Sequence, residues 1–201
     1  MHLPARSPRR LIGAAAIACA AALIPGAALA TTSSPAAHAA AAATTPACAT
    51  SQLVVWLDVP LGHDYAGGAY YYLEFTNLSG QACMLHGSPG VSAVSLSGRQ
   101  LGNSAGGDYS GDKPAVLLAS GATAAAELDI HDPGDFGSSC LLPPPWKQPW
   151  RPGTLPTAAG LRVYPPNQYT STVIPYPFPA CAHTGPVWMD VEPVTAGGPP
   201  G

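Results

Sequence analysis

The chain has 201 residues, of which only 9% are Asp, Glu, Lys or Arg, and a formal net charge of −3. Soluble domains average about 25% charged residues, so this surface must be built from Ser, Thr, Gly, Asn and Tyr. It has no basic patch to neutralise phosphates, which excludes nucleic-acid binding as its role. The 24 prolines and 22 glycines are spread along the chain and rule out long helices over most of it.

Residues 1–30 read as a secretory signal. Arg6, Arg9 and Arg10 form a charged n-region, an apolar Ala/Leu/Ile run follows, and Ala28-Leu29-Ala30 is a small-residue cleavage site. Pro25-Gly26 and the weakly apolar alanines argue against a membrane helix, so no membrane span is expected in the mature form. A lipoprotein anchored through Cys19 is the alternative, because Ala16-Ile17-Ala18-Cys19 resembles a lipobox with Ala in place of the usual Leu. Residues 31–47 are rich in Ala, Thr and Pro without an apolar period and read as a disordered linker. Residues 48–193 make one domain, long enough to bury a core, and 194–201 read as a disordered tail.

Within the domain the apolar period is two. Leu53, Val55 and Leu57 alternate with Val54 and Trp56 up to Pro60, and residues 62–68 read as a loop. Tyr71, Leu73 and Phe75 are expected inward on the clearest strand, with Tyr70, Tyr72, Glu74 and Thr76 outward. Gln81–His86 is expected to return antiparallel to that strand. Val94 and Leu96 share one face of the next, and Ser97-Gly98-Arg99 turns it. Residues 102–114 form a polar loop and 115–119 a short strand. Ala122–Ile130 would suit a helix by its alanines, but its strict alternation favours a strand. His131–Ser139 loops to Cys140, and Leu141–Pro156 is a proline-rich insert of polyproline II character. Leu161 and Val163 mark another strand. Tyr169–Phe178 reads as an edge strand because of Pro175 and Pro177, and Val187, Met189 and Val191 are expected inward on the last.

With Cys19 removed, four cysteines remain: Cys48, Cys83, Cys140 and Cys181. An even number in an exported chain implies disulfides, and no C-x-x-C pair supports zinc or redox chemistry. Of the three possible pairings, Cys48–Cys83 with Cys140–Cys181 is favoured because consecutive pairs staple the two halves separately. In the chain-entropy model each is worth roughly 3–4 kcal/mol.

Phe75-x-Asn77, the following small turn, Cys83, the Gly87-x-Pro89-Gly90 turn and Gly98 resemble the signature of an actinobacterial exported family, Domain of Unknown Function 4232. Leu118 and Gly121 resemble its Leu-x-x-Gly strand; Cys140, Val163, Pro165 and Pro166 resemble its closing Cys and Pro-Pro strand. The likeness covers nearly all of Cys48–Val191 and departs from the family in the insert. It implies an exported or lipid-anchored β-sandwich and supplies no catalytic residue.

The remaining polar motifs carry little chemistry. Ser88 lacks the G-x-S-x-G elbow, and Pro89 removes an N–H that an oxyanion hole would use. His131, Asp132 and Asp135, with Asp129 before them, place oxygen ligands on one loop, as do Asp108 and Asp112, but Asp-Pro-Gly is ordinary turn chemistry and neither loop has EF-hand spacing. Met84 and His86 are too few soft ligands for copper, and His63 and His183 read as loop residues. Trp146 and Trp150, among prolines in the insert, are the candidate ligand-binding residues, since flat rings stack on sugars or peptides at low entropy cost.

The expectation is therefore an all-β fold, an antiparallel immunoglobulin-like sandwich stabilised by two disulfides at Cys48, Cys83, Cys140 and Cys181. Its function is that of a secreted or cell-envelope module, non-catalytic and without cofactor or metal, that binds a protein or a cell-wall glycan. The alternative, a small extracytoplasmic metal-binding protein or envelope hydrolase, requires a convergent polar pocket around His86, His131 or the nearby aspartates.

Overall fold

The computed structural model describes residues 45–107, 114–144 and 153–197. The described strands are β1 (Leu53–Tyr65), β2 (Gly68–Asn77), β3 (Cys83–Leu85), β4 (Gly90–Val94), β5 (Gln100–Leu101), β6 (Gly106–Gly107), β7 (Val116–Leu118), β8 (Thr123–His131), β9 (Thr157–Tyr164), β10 (Thr172–Pro179), β11 (Met189–Val191) and β12 (Thr195–Ala196). The first sheet runs β1-β2-β8-β11-β6, with β12 also on β8. The second runs β10-β9-β4-β5, and β3 pairs with β7 in a small ribbon. Among the described strands every ladder is antiparallel except β6 with β11, which is parallel; the isolated bridges Ala47–Met84 and Ala124–Gly197 are parallel too. An antiparallel sandwich is expected; β6 departs from it, since residues 102–105 cross from β5 in the second sheet to the edge of the first.

One apolar core joins the two large sheets. Leu73, Phe75, Leu128 and Met189 from the first meet Val91, Leu161, Val163 and Phe178 from the second. Each such side chain contributes roughly 1.5–3 kcal/mol by leaving water. The alanines of β8 explain its choice of strand over helix. Ala124 and Ala126 lie opposite Phe75 and Leu73, so small residues leave room for large ones on the same inner face, and pairing on both sides overrides helix propensity.

Several local expectations are corrected by this packing. The loop expected over 62–68 is the end of one hairpin: β1 continues to Tyr65 and turns through Ala66-Gly67. Pro60 falls in a register break between Asp58 and His63, an irregularity that lets an edge strand tolerate a residue without an N–H. The strand holding Cys83 does not return along β2 but pairs with β7. Leu96 is 98% exposed in the β4–β5 turn rather than inward with Val94. Near the C-terminus Val187 is 51% exposed, and Trp188, fully buried, takes the inward place. The ladder begins only at Met189, so the period of two does not extend back to 187. The loop after His131 contains a 3-10 turn, Pro133–Ser139. Ordered structure extends into both flanks expected to be disordered: Ala47 bridges Met84, and Val194 is buried before β12 pairs with Ala124 and Ala125.

The disulfides link Cys48 to Cys83 and Cys140 to Cys181, with S–S distances of 2.02 and 2.05 Å. This is the consecutive pairing favoured above. The first fastens the entering chain beside β3, where Cys48 N–H donates to Met84 O at 3.0 Å. The second fastens the end of the 3-10 turn to the segment after β10, reinforced by Ala182 N–H to Cys140 O at 2.8 Å. All four cysteines are buried.

Candidate functional site

Charge is segregated by sheet. Every carboxylate among the described residues lies on the first sheet or on a loop that continues it: Asp58 and Asp64 on β1, Glu74 on β2, Glu127 and Asp129 on β8, Asp190 on β11, with Asp132, Asp135 and Glu192 just beyond. The second sheet carries none. The two described arginines are its own, Arg162 on β9 and Arg99 in the turn before β5, where Arg162 Nη2 donates to Gly98 O at 2.6 Å.

At one end of the first sheet a polar cluster forms from four residues on three strands that are far apart in sequence. Tyr65 ends β1, and its hydroxyl donates to Asp129 Oδ1 at 2.8 Å and lies 2.9 Å from His131 Nδ1. His131 Nε2 lies 3.2 Å from Asp190 Oδ2 and 3.7 Å from Asp129 Oδ2. Register explains the convergence: Gly68 pairs with His131, Tyr70 with Asp129, and Asp129 with Asp190. Two glycines clear the space. A Cβ on Gly68 would strike the Tyr65 hydroxyl, and one on Gly106 would strike Asp190 Oδ1. The Tyr65 ring rests on Tyr70, centroids 4.9 Å apart.

The arrangement brings a phenol, an imidazole and two carboxylates together at one sheet end. Burial, followed by the hydrogen bond to and the charge of Asp129, holds the Tyr65 phenol well above the usual tyrosine range. Its one proton goes to Asp129, so His131 satisfies both Tyr65 and Asp190 as a donor only when both ring nitrogens carry hydrogen. Among the described residues no group of three or more His, Cys, Asp or Glu side chains is placed to hold a metal ion; the members of this cluster bond to one another.

A second polar feature lies nearer the middle of the same face. Asp58 and Glu74 are both buried although they sit on the outer side of the sheet. They are diagonal neighbours, since Trp56 pairs with Glu74 and Asp58 with Tyr72, and the two aromatic residues flank them. Burial first, and then the neighbouring charge of Asp58, raises the Glu74 carboxyl above the ordinary carboxylate range.

Beneath the polar cluster, at the same end, is an apolar crevice of about 180 Å³. Ala69, Tyr71, Ile130, Pro133, Phe178 and Pro179 line it, with His131 and Asp132 at its margin. Its floor is stiffened by Tyr176 OH donating to Tyr71 OH at 3.0 Å.

The residues singled out by sequence meet different fates. Trp146 and Trp150 lie outside the described residues, as do Asp108 and Asp112. Ser88 sits between β3 and β4 with no helix behind it. His86 is exposed, and its carbonyl accepts from Asn167 Nδ2 at 3.0 Å. His131 and Asp129 do come together, whereas Asp132 caps the 3-10 turn by accepting from Gly134 N–H at 2.8 Å. Sequence reading missed Tyr65, Asp190 and the Asp58–Glu74 pair. Their only signal was a glycine facing each of the first two, at Gly68 and Gly106.

The signature residues act on the backbone. Asn77 is fully buried; its Nδ2 donates to Gln81 O, Leu118 O and Ala119 O at 2.8, 3.0 and 3.2 Å, and its Oδ1 accepts from Ser79 N–H at 2.9 Å. It thus closes the turn after β2 and ties it to β7. Gly87 and Gly98 have φ of +92° and +75°, left-handed conformations that favour glycine. Cys83 is half of a disulfide.

No curated protein and no solved structure matches this chain. The family model described as Domain of unknown function (DUF4232) matches residues 48–197. That span holds both disulfides, all the described strands and the buried asparagine. The chain belongs to the DUF4232 family.

Proposed function

We propose that the domain is a non-catalytic binding module that works outside the cytoplasm, recognising a protein or glycan partner of the cell envelope. The observation that carries this reading is the outer face of the first sheet. There Trp56, Tyr65, Tyr70 and Tyr72 alternate with carboxylates on an open surface, and the polar groups of Tyr65, Asp129, His131 and Asp190 are spent on one another. Aromatic rings between polar groups bind through area and shape at low entropy cost. The leader-like residues 1–30 and the two disulfides support export, with Cys19 lipidation as the variant form. Among the described residues no helix is long and apolar enough to cross a membrane. Trp146 and Trp150 extend the proposal to the insert.

Affinity capture from envelope extract with the full mature chain tests it. Trp56→Ala/Tyr70→Ala or Trp146→Ala/Trp150→Ala is expected to reduce recovery of a specific partner at least tenfold. Turnover of envelope ester or amide substrates that disappears in His131→Ala, or metal retained at one equivalent after purification, would overturn it.

A further inference from the structure

The long outer strand of the acidic sheet is built differently from an edge that nature has closed. Among the described residues β1 pairs with β2 alone. Its register is unbroken from Leu53 to Asp58, a run of about 20 Å at the usual strand rise. Every second residue of such a strand turns its N–H and C=O away from its neighbour, which is a template for another chain. Both sides of the run are apolar. Val54 and Trp56 are 46% and 42% exposed on the outer side, and Leu53, Val55 and Leu57 are only partly buried on the inner. None of the usual protections, a Lys, a Pro or a bulge, occurs before residue 59.

We infer that Leu53–Asp58 of β1 is a strand-addition site for an extended segment of a partner protein in which apolar residues alternate with lysine or arginine. The inference rests on the binding-module reading and names its partner's chemistry. Backbone pairing with β1 supplies affinity, and alternate side chains of the added strand supply selectivity. The cations of the added strand lie on the outer face, beside Trp56, Asp58 and Glu74, and its apolar residues lie on the inner face, beside Leu53, Val55 and Leu57. Charge selects this occupant over a second copy of the chain. Two-fold pairing of β1 with itself would set one carboxylate-bearing sheet beside another, and each chain carries a net charge of −3.

The probe is a capped eight-residue peptide of alternating Lys and Val, titrated into the full mature chain by calorimetry with backbone amide exchange followed by NMR. Two controls accompany it: the Glu/Val counterpart, and the Lys/Val peptide N-methylated at alternate residues so that charge remains and ladder donors are lost. Expected are saturable binding by the Lys/Val peptide, at least tenfold weaker binding by both controls, and slowed exchange of the β1 amides that face away from β2. Trp56→Lys, on an exposed position, removes binding while near-ultraviolet circular dichroism stays unchanged, and Asp58→Asn with Glu74→Gln reduces it. Equal affinity of the N-methylated peptide would overturn strand addition, as would absence of binding by the Lys/Val peptide or a micromolar self-association abolished by Trp56→Lys. In each of those cases partner capture through the rest of the sheet face still decides the broader reading.

Discussion

The two outer strands β1 and β10 are the clearest contrast in the molecule. β10 carries Pro175, Pro177 and Pro179 between residues whose side chains face the core, such as Ile174 and Phe178. Its solvent side offers few N–H groups, and its register with β9 breaks between Pro175 and Phe178. β1 has a single proline, in the irregular stretch after Asp58, and an intact apolar run before it. The sheets they bound also differ in charge: the carboxylates lie on or beside the first, and the two described arginines on or beside the second. One of these strands is interrupted by prolines along its length, and the other keeps an unbroken run.

The largest effects are expected where both halves share the core. Trp188, fully buried with its ring 6.1 Å from that of Phe178, joins the two sheets. Trp188→Ala is expected to cost about 3–5 kcal/mol in urea denaturation. Removing Cys140 and Cys181 together should cost about 2–5 kcal/mol, and a comparable loss for Cys48 with Cys83 would show that the staples serve both halves equally. Asn77→Ala strands buried carbonyls of β7 and the turn and should cost about 1–3 kcal/mol. The same measurement on Tyr65→Phe should give less than about 1 kcal/mol, because that hydroxyl sits on an accessible face. If Tyr65→Phe cost as much as Asn77→Ala, the cluster would be a pillar of the fold rather than a feature of its surface.

The smallest effect tests the electrostatics of the open half. Glu74 faces Asp58 across β1 and pairs with Ala125 on β8. Its folded-state pKa is raised, so the folded form binds the proton more tightly than the unfolded chain. That contribution to stability is fully present below the unfolded pKa and is lost as pH rises through the folded one. Glu74→Gln should therefore raise the melting temperature at neutral pH relative to the parent. It should also flatten the decline in stability just above the ordinary carboxylate range. An unchanged pH profile would show that the pair is solvated and the edge less acidic than described.

Much of the fold was legible because its signals are local. Tyr71, Leu73 and Phe75 alternate with polar neighbours, and β2 places them as that alternation requires. The prolines of 175–179 marked an edge strand, and an edge strand is found. Legibility ended where two rules competed or where partners were distant. Val187 fitted a period of two, but the ladder starts after Trp188, and the large indole fills the core in its place. Cys83–Leu85 looked like the return of a hairpin, yet it pairs with a strand some thirty residues later, since a bonded turn does not oblige adjacent strands to pair. In the polar cluster His131 and Asp129 were visible as loop chemistry, while Tyr65 and Asp190 were not, because they lie 66 and 59 residues from His131.

What the amino-acid order determined by itself was most of the longer strands and the turns between them, and the chemical inventory of a lightly charged chain with four cysteines in its domain. Alternation, ring-locked prolines and left-handed glycines act within a few residues of themselves, so one dimension suffices to read them. Tertiary structure alone decided which strands became neighbours, that carboxylates would gather on one sheet, and that Tyr65, Asp129, His131 and Asp190 would touch. Those outcomes depend on register between distant segments, and register is set by how two buried faces fit once the core has closed.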